Sequence, residues 1–369
     1  MSVQQLPFLE ILQEVSRGNI KTPQKEFLSE GDIPVIDQGK QLIAGYTNDP
    51  ARVCKVTPPV IVFGDHTRAI KFVDFEFAMG ADGTKVLAPR IECDLKYFYH
   101  ALRATHIPDA GYSRHFKFLK ETKLPVPTLS EQKRIAAILD AADALRANRR
   151  ETLAQLNTLL QSTFLEMFGD PVTNPKGWKT VAFSEIGTSR LGKMLDKGKE
   201  KGDEQFPYLA NFNVQWGRFD LSNLRTMELS PSDRVEFLLQ NGDLLICEGG
   251  EVGRTAIWTE QMENVYFQKA LHRVRVSPEN VTAEYIQYYM WFMAQNGGFR
   301  DFTNSATIAH LTGVKLKGLP VPLPPLGLQQ HFATILQSVE QQKSRLRAHL
   351  EELDTLFASL QARAFSGEL

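Results

Sequence analysis

The residues of this chain best suited to chemistry are basic and hydrogen-bonding side chains set in glycine-punctuated stretches. The segment GDHTRAIK (Gly64–Lys71) carries His66, Thr67, Arg68 and Lys71, GNIKTP carries Gly18, Lys21 and Thr22, and YSRHFK carries Arg114 and His115. Later in the chain LGKMLDKGKEKGD holds Lys193, Lys197, Lys199 and Lys201 within nine residues, and NFNVQWGR holds Asn211, Asn213, Gln215 and Arg218. Arg254, Ser305 and Thr307 complete the set. Side chains of these types, on loops, donate to phosphate oxygens and read base edges. Each is equally legible as a solvated loop residue, and Asp196 and Glu200 dilute the lysine run.

Catalytic patterns are missing or broken. No GxGxxG follows a strand-like run, and GGEVGRT (Gly249–Thr255) lacks both the spacing and the lysine of a phosphate loop. There is no HExxH and no GxSxG. Asp243, Glu248 and Glu251 are acidic neighbours without a lysine at nuclease spacing, and the NGD before a strand reads as a turn. Cys54, Cys93 and Cys247 lie far apart, with no metal spacing, and read as buried thiols of a cytosolic protein. No metal site is expected.

Charge is balanced rather than basic. The 42 Lys and Arg against 43 Asp and Glu leave a net charge of −1. Residues 1–123 carry 16 basic against 15 acidic side chains, and residues 171–318 carry 17 of each. Any nucleic-acid surface must therefore come from arrangement, or a partner must supply part of it. With 43% hydrophobic and 23% charged residues the composition is that of a soluble protein, and no run approaches the roughly 20 apolar residues of a membrane span. The opening MSVQQLPFLE has no signal-peptide pattern, so a cytoplasmic location without membrane contact is expected.

An internal repeat organises the elements that must position these residues. LPVPTLSEQKRIAAIL (Leu124–Leu139) returns as LPVPLPPLGLQQHFATIL (Leu319–Leu336). At an offset of 197, Leu153/Leu350, Leu156/Leu353, Thr158/Thr355, Leu159/Leu356, Ser162/Ser359 and Phe168/Phe365 are identical pairs. Each copy reads as a long helix with apolar residues spaced alternately four and three apart, the pattern of a coiled-coil seam. In the distal copy the seam is Phe332, Leu336, Val339, Lys343, Leu346, Leu350, Leu353, Phe357, Leu360 and Ala364. In the central copy it is Ile135, Leu139, Ala142, Arg146, Arg149, Leu153, Leu156, Leu160, Thr163 and Met167. Arg146 and Lys343 interrupt the two seams at equivalent places, either snorkelling past them or fixing register. Prolines force extended entries, Ser130 is the expected first N-cap, and Gly169, Pro171 and Pro175 end the central helix.

The regions before each helix mix short β-branched runs with Gly, Asn and Asp turns and end in helices at DLKYFYHALRA and AEYIQYYMWFMAQ. The tyrosine-rich row of the second reads as helix core. The fold class is α+β: two domains of mixed α/β structure separated by two long helices, a pseudo-twofold internal repeat. The expected divisions are 1–123, 124–170, 171–318 and 319–369. Two like modules pair most simply about a twofold axis, which makes the helices an antiparallel coiled coil. The 33 residues from Ile135 to Met167 span roughly 50 Å. That exceeds the ~34–36 Å turn of B-DNA, so the helices would act as a ruler between two unlike half-sites.

These features together resemble the specificity subunit of type I restriction-modification systems. The resemblance is carried by both LPVP-plus-helix repeats, by LSEQKRIAAILDAAD and LNTLLQSTFLEMFGDPVTNPKGW, and by FPYLANFNVQWGRFD with NGDLLICEGGEVGRTAIW. In the first domain GNIKTPQKEF, IPVIDQGKQLIAGYTND and IVFGDHTRAIKFVDFEFAMGADGTKVL look like the family's target-recognition domains. The resemblance covers essentially the whole chain. It implies two target-recognition domains, each reading one half of a bipartite double-stranded DNA target. It implies an antiparallel coiled coil that sets spacing and binds two modification subunits. Those subunits would carry S-adenosylmethionine and methylate adenine, and restriction subunits would add ATP- and Mg-dependent translocation and cleavage in phage defence. The chain itself would be non-catalytic and hold no cofactor. An orphan or decayed copy, or a coiled-coil scaffold with protein-binding domains, are the alternatives.

Overall fold

The computed structural model describes residues 4–111, 113–194, 204–302 and 310–369. The chain divides into two compact units, Met1–Glu151 with Arg347–Leu369, and Thr152–Leu346. The division falls within both long helices, the central one at Leu129–Phe168 and the distal one at Leu326–Ser366. Each unit therefore holds one α+β domain and a segment of both helices.

In the first unit a four-stranded antiparallel sheet runs in the order Leu12–Glu14, Thr84–Pro89, Val60–Gly64, Ile70–Val73. Its central strand, Val60–Gly64, is buried throughout. Successive side chains of a strand point to opposite faces. Ile61 and Phe63 accordingly enter a core shared with the helix Leu95–Ala104, while Val60 and Val62 enter a smaller core with Ile36, Phe77 and Met79. The second core sits under a three-stranded sheet, Gly45–Thr47, Ile33–Ile36, Ala78–Met79, whose last pair is parallel. The continuous apolar run VIVF is thus the signature of a strand covered on both faces.

The second unit repeats this frame with different residues. Its four-stranded sheet has the order Gly187–Leu191, Leu271–Val276, Leu244–Cys247, Thr255–Ile257, and its three-stranded sheet is Arg225–Met227, Phe206–Leu209, Tyr266–Phe267, again with one parallel pair. Leu244 and Ile246 face the core containing helix Ala283–Gln295, and Leu245 and Cys247 face the core under the smaller sheet. A two-stranded hairpin, Val214–Gln215 with Arg218–Phe219, and a helix at Pro231–Phe237 capped by Ser230 are additions to the frame.

The LPVP segments are strands, each closing its own domain. Lys123–Val126 pairs with Gln4–Pro7, and Pro320–Pro322 pairs with Thr180–Ala182. Prolines are tolerated because each ladder has only two strands, so an amide that faces away has no partner to lose. The central helix begins at Leu129, one residue before the expected cap. Thr128 Oγ1 accepts from Glu131 N at 3.3 Å, which places Ser130 inside the first turn. Thr128 wins because Pro127 holds the preceding backbone extended, the conformation an N-cap needs.

Within each unit the helices run antiparallel. In the first, Arg134 Nη2 donates to Leu369 O at 2.6 Å and Arg146 Nε donates to Asp354 Oδ1 at 2.5 Å, so partners fall in number as the central helix advances. Ile135, Leu139 and Phe357 are buried in that unit's core, and Leu160, Leu336 and Val339 are buried in the other's. Leu153, Leu156, Leu346, Leu350, Leu353 and Leu360 are half-buried. The expected seam thus follows the buried stripe, except at the end of the central helix. There Phe164 and Phe168 are fully buried, and the expected Thr163 and Met167 only half-buried. The deep face turns toward the domain because Tyr285, Tyr288 and Phe292 offer rings for Phe164 to stack on, with centroids 5.6, 5.9 and 4.9 Å away.

The two basic interruptions differ. Arg146 crosses the seam to Asp354, also meets Asp143 at 2.7 Å, and lies 4.3 Å over the Phe357 ring. It holds the Asp354 carboxyl below the usual range, first by hydrogen bonding. Lys343 pairs with Glu340 on its own helix. Arg146 therefore ties the two helices to each other, and Lys343 is a buried charge satisfied on its own helix.

Two buried histidines make stability depend on pH. His100 Nε2 donates to Asp140 Oδ1 at 2.8 Å among Lys96, Arg103 and Asp143, and His272 Nε2 donates to Leu311 O at 3.0 Å near Glu248. Burial is the largest influence on each and pushes both below the ordinary histidine value. Below about pH 6.5 the unfolded chain takes up protons that the folded chain refuses, so stability is present above that pH and is lost as pH falls. The slope should reach at most about 1.4 kcal/mol per pH unit per histidine. Urea unfolding at pH 7.5 and 5.5 should show the loss, and His100→Gln with His272→Asn should flatten it. Equal stability at the two pH values would rule out this linkage.

Candidate nucleic-acid interface

Part of the first domain's candidate set, the loop 64–68, is built against Gln38. Thr67 Oγ1 donates to the Gln38 carbonyl, and His66 N donates to Gln38 Oε1 at 3.2 Å. Gly64 is required at this contact, since a Cβ there would lie 2.5 Å from Gln38 O. Arg68 takes a left-handed backbone, φ 61°, which a non-glycine residue adopts only when its surroundings hold it. Its guanidinium donates to Ile107 O at 3.2 Å and to Asp109 Oδ2 at 2.8 Å. Asp65, buried at the root of the same loop, accepts from His115 N and Phe116 N at 2.8 Å each. The stretches around Gly64 and Arg114, 50 residues apart, thus form one patch, with Arg114 exposed on it.

The remaining first-domain candidates divide by burial. Lys21 is exposed and pairs with Asp82 at 3.2 Å. Thr22 is fully buried, and its amide donates to Met79 O. Lys71 is buried too, with Nζ donating to Asp37 O at 2.8 Å, and desolvation lowers its pKa despite the Asp37 carboxylate. His115 is buried, with Nδ1 donating to Asp65 O at 3.0 Å. The Lys71 and His115 side chains brace the loops from behind, whereas Thr22 Oγ1 is buried with no hydrogen-bond partner among the described residues.

The second domain builds the same arrangement from other residues. Arg254 Nη2 donates to Asn211 O at 2.7 Å, and Nη1 meets Glu251 Oε2 at 3.1 Å. Glu251 also accepts from Trp216 Nε1 at 2.5 Å, which ties in the hairpin tip. Gly217, φ 68°, makes the turn that leaves Arg218 exposed beside it. Asn213 is buried, accepting from Ala210 N at 2.9 Å and donating to Asp220 O at 2.9 Å. Asn211 is half-buried, and Gln215 Nε2 donates to Phe212 O. Lys193 is partly exposed and pairs with Asp233 at 2.8 Å. Lys197, Lys199, Lys201, Ser305 and Thr307 lie outside the described residues.

Sequence reasoning missed Gln38, because a half-buried brace and a solvated glutamine look alike in a sequence. It also missed an arginine face in the second domain. Arg190 and Arg273 are register partners on adjacent strands, and Arg275 lies two residues on, hence on the same face. Glu236 and Asp243 partner this group, with Arg275 Nε donating to Asp243 Oδ1 at 2.7 Å. The alternation in LHRVRV was the available signal.

The chemistry this surface supports is hydrogen bonding and charge contact. Among the described residues no cluster of three or more His, Cys, Asp or Glu side chains could hold a metal ion. The three cysteines are free, and burial pushes the Cys93 and Cys247 thiols up to about 11, away from the thiolate a nucleophile needs. No helix among the described residues is long and apolar enough to cross a membrane.

Comparison with known proteins adds the following. The family described as type I restriction modification DNA specificity domain matches twice, at residues 10–158 and 175–353. The chain is 25% identical over 370 residues to the Escherichia coli type I restriction enzyme EcoR124I/EcoR124II specificity subunit, covering 92% of this chain and 87% of that one. It is 24% identical over 350 residues to a putative type I restriction enzyme specificity subunit of Haemophilus influenzae, covering 89% and 86%. The crystal structure of a type I restriction-modification S subunit from M. genitalium has a similar fold, with TM-score 0.63, 14% identity, and coverage of 99% of this chain and 96% of that one.

Proposed function

Because this chain belongs to the type I restriction-modification DNA specificity family, we propose that it reads a bipartite double-stranded DNA target, one half with each of its two domains. It is a specificity subunit, and catalysis belongs to other subunits of such systems. The observation that carries the reading is duplication. The family matches twice along one chain, and each matched part has the same sheet order and the same loop-to-loop brace, at Gln38 in one and Asn211 in the other. Two copies of one reading frame with different loop residues suit a target whose halves differ in sequence.

In this reading the exposed or partly exposed Lys21, His66, Thr67, Arg68, Arg114, Lys193, Asn211 and Arg218 contact DNA, with the lysines at 197, 199 and 201 and with Ser305 and Thr307. Phosphate contacts set position, and a few base-edge contacts set sequence. Near-neutral charge is tolerable because two modification subunits, which carry S-adenosylmethionine, share the clasp on DNA. Restriction subunits supply ATP- and Mg-dependent cleavage. The four segments 1–123, 124–170, 171–318 and 319–369 serve as reader, spacer, reader and spacer.

The test is co-expression of the full chain with its modification subunit, followed by mapping of N6-methyladenine in host DNA. A single split motif with a fixed number of intervening bases is the expected result. An assembled complex that neither methylates nor retains DNA would overturn the reading in favour of a decayed copy or a protein-binding scaffold.

A further inference from the structure

Two fully buried glutamines occupy equivalent places in the repeat. Gln132 and Gln329 lie at the offset of 197 that relates the two long helices, each in the first turn of its helix. They are 2% and 0% exposed, although glutamine is ordinarily a surface residue. Asp94 N donates to Gln132 Oε1 at 2.9 Å, and Gln132 Nε2 donates to Pro127 O at 2.9 Å. Thr282 N donates to Gln329 Oε1 at 3.0 Å, and Gln329 Nε2 donates to Pro324 O at 2.8 Å. Asp94 and Thr282 are the N-caps of the two domain helices, Leu95–Ala104 and Ala283–Gln295. Each glutamine therefore joins the start of its domain's helix to the backbone just before its long helix. A tyrosine three residues past each cap strengthens the joint: Tyr97 donates to Pro125 O and Tyr285 to Pro322 O.

We propose that Gln132 and Gln329 are positioning residues, clamps that fix the angle between each recognition domain and its spacer helix and so hold the complex to one spacing between half-sites. The inference rests on the function proposed above. Apolar packing is not directional, whereas an amide hydrogen bond weakens steeply as it bends. The caps differ in identity, aspartate in one unit and threonine in the other, yet the residue reaching them is the same. That pattern is unexpected if packing alone set the joint. A slack of about 10° over a domain reach of about 20 Å moves a reading loop by roughly 3.5 Å, close to one base-pair rise.

The experiment uses the assembled complex with its modification subunit. Targets keep both half-sites and vary the spacer by one base pair either way. Wild type should methylate one spacer length. Gln132→Met and Gln329→Met, similar in volume but without the amide, should each relax the preference for that spacer, lowering the discrimination about tenfold, the scale of one lost hydrogen bond. The bases read in each half should stay the same. Val73→Ala, a core truncation away from the joint, should lower thermal stability without relaxing the spacer. Should Gln132→Met not fold, Gln132→Asn keeps the amide but withdraws it from both partners. Variants that hold the wild-type spacer preference, whatever their rate, would overturn the inference. A wild-type complex that methylates no split sequence would overturn the underlying function and is recognised by failure of that arm.

Discussion

Replacing residues 1–123 with the corresponding domain of a relative should rewrite one half of the methylated sequence and leave the other half unchanged. The first domain's exposed candidates, from Lys21 to Arg114, all lie inside this segment, and the 64–68 loop among them packs against Gln38. Its cores are filled almost wholly by its own residues and by the two long helices of its unit. Each mismatched base pair costs about 1–3 kcal/mol of binding, so two changed positions lower methylation of the old motif by roughly 30-fold or more. The exchange has structural conditions. The incoming domain must supply a strand to pair with Leu124–Val126, as Gln4–Leu6 does. It must also supply partners for the central helix, where Lys96 meets Asp140 at 2.6 Å, His100 meets Asp140 at 2.8 Å and Arg103 meets Asp143 at 2.7 Å. A donor lacking these leaves half-buried carboxylates unpaired and lowers the yield of folded complex. Sequencing of methylated adenines decides the matter. If both halves change, or neither does, the assignment of one half to this domain fails.

Phe164→Ala should destabilise the second unit by about 3–5 kcal/mol, the range for removing a buried phenylalanine. Phe164 is fully buried near the end of the central helix. Besides the three rings of helix Ala283–Gln295, it meets Phe168 at 4.9 Å and Phe332 of the distal helix at 5.5 Å, edge-on. Each such pair adds about 0.5–1.5 kcal/mol beyond burial, and alanine deletes five at once. The surrounding side chains belong to three separate helices and cannot all collapse into the space, so a cavity remains. Denaturant unfolding of the full chain should show the loss in the transition of that unit. Leu159→Ala, at a side chain 50% exposed on the same helix, should stay within about 0.5 kcal/mol. A loss below about 1 kcal/mol for Phe164→Ala would show that this core repacks freely.

The long helices were legible because their information is local. A 3.6-residue turn puts every third or fourth side chain on one face, so the seam from Ile135 to Leu160 and from Leu336 to Leu360 appears in the order of residues. The repeat was legible for the same reason, since identity at a fixed offset needs no folding. Its last turn misled because Thr163 and Met167 continue the spacing, and only the rings of the domain helix show that Phe164 and Phe168 face inward. The loops were less legible. Thr22, Lys71, His115 and Asn213 are polar, hydrogen-bonding residues like exposed Lys21, Arg114 and Arg218, and what separates them is burial.

The sequence by itself determined that this chain is two copies of one α+β-plus-helix module, that its helices have a coiled-coil stripe, and that it lacks the patterns of an enzyme. Tertiary structure alone decided which polar side chains brace and which face outward. It brought the 64–71 loop against Gln38 and the segment around His115, and it placed Gln132 and Gln329 between a helix cap and a proline carbonyl. The physical reason is that solvent exposure and hydrogen-bond partners depend on strands and helices that pair across tens of residues. A polar residue type states what a side chain can bond, and only the fold states what it is given to bond.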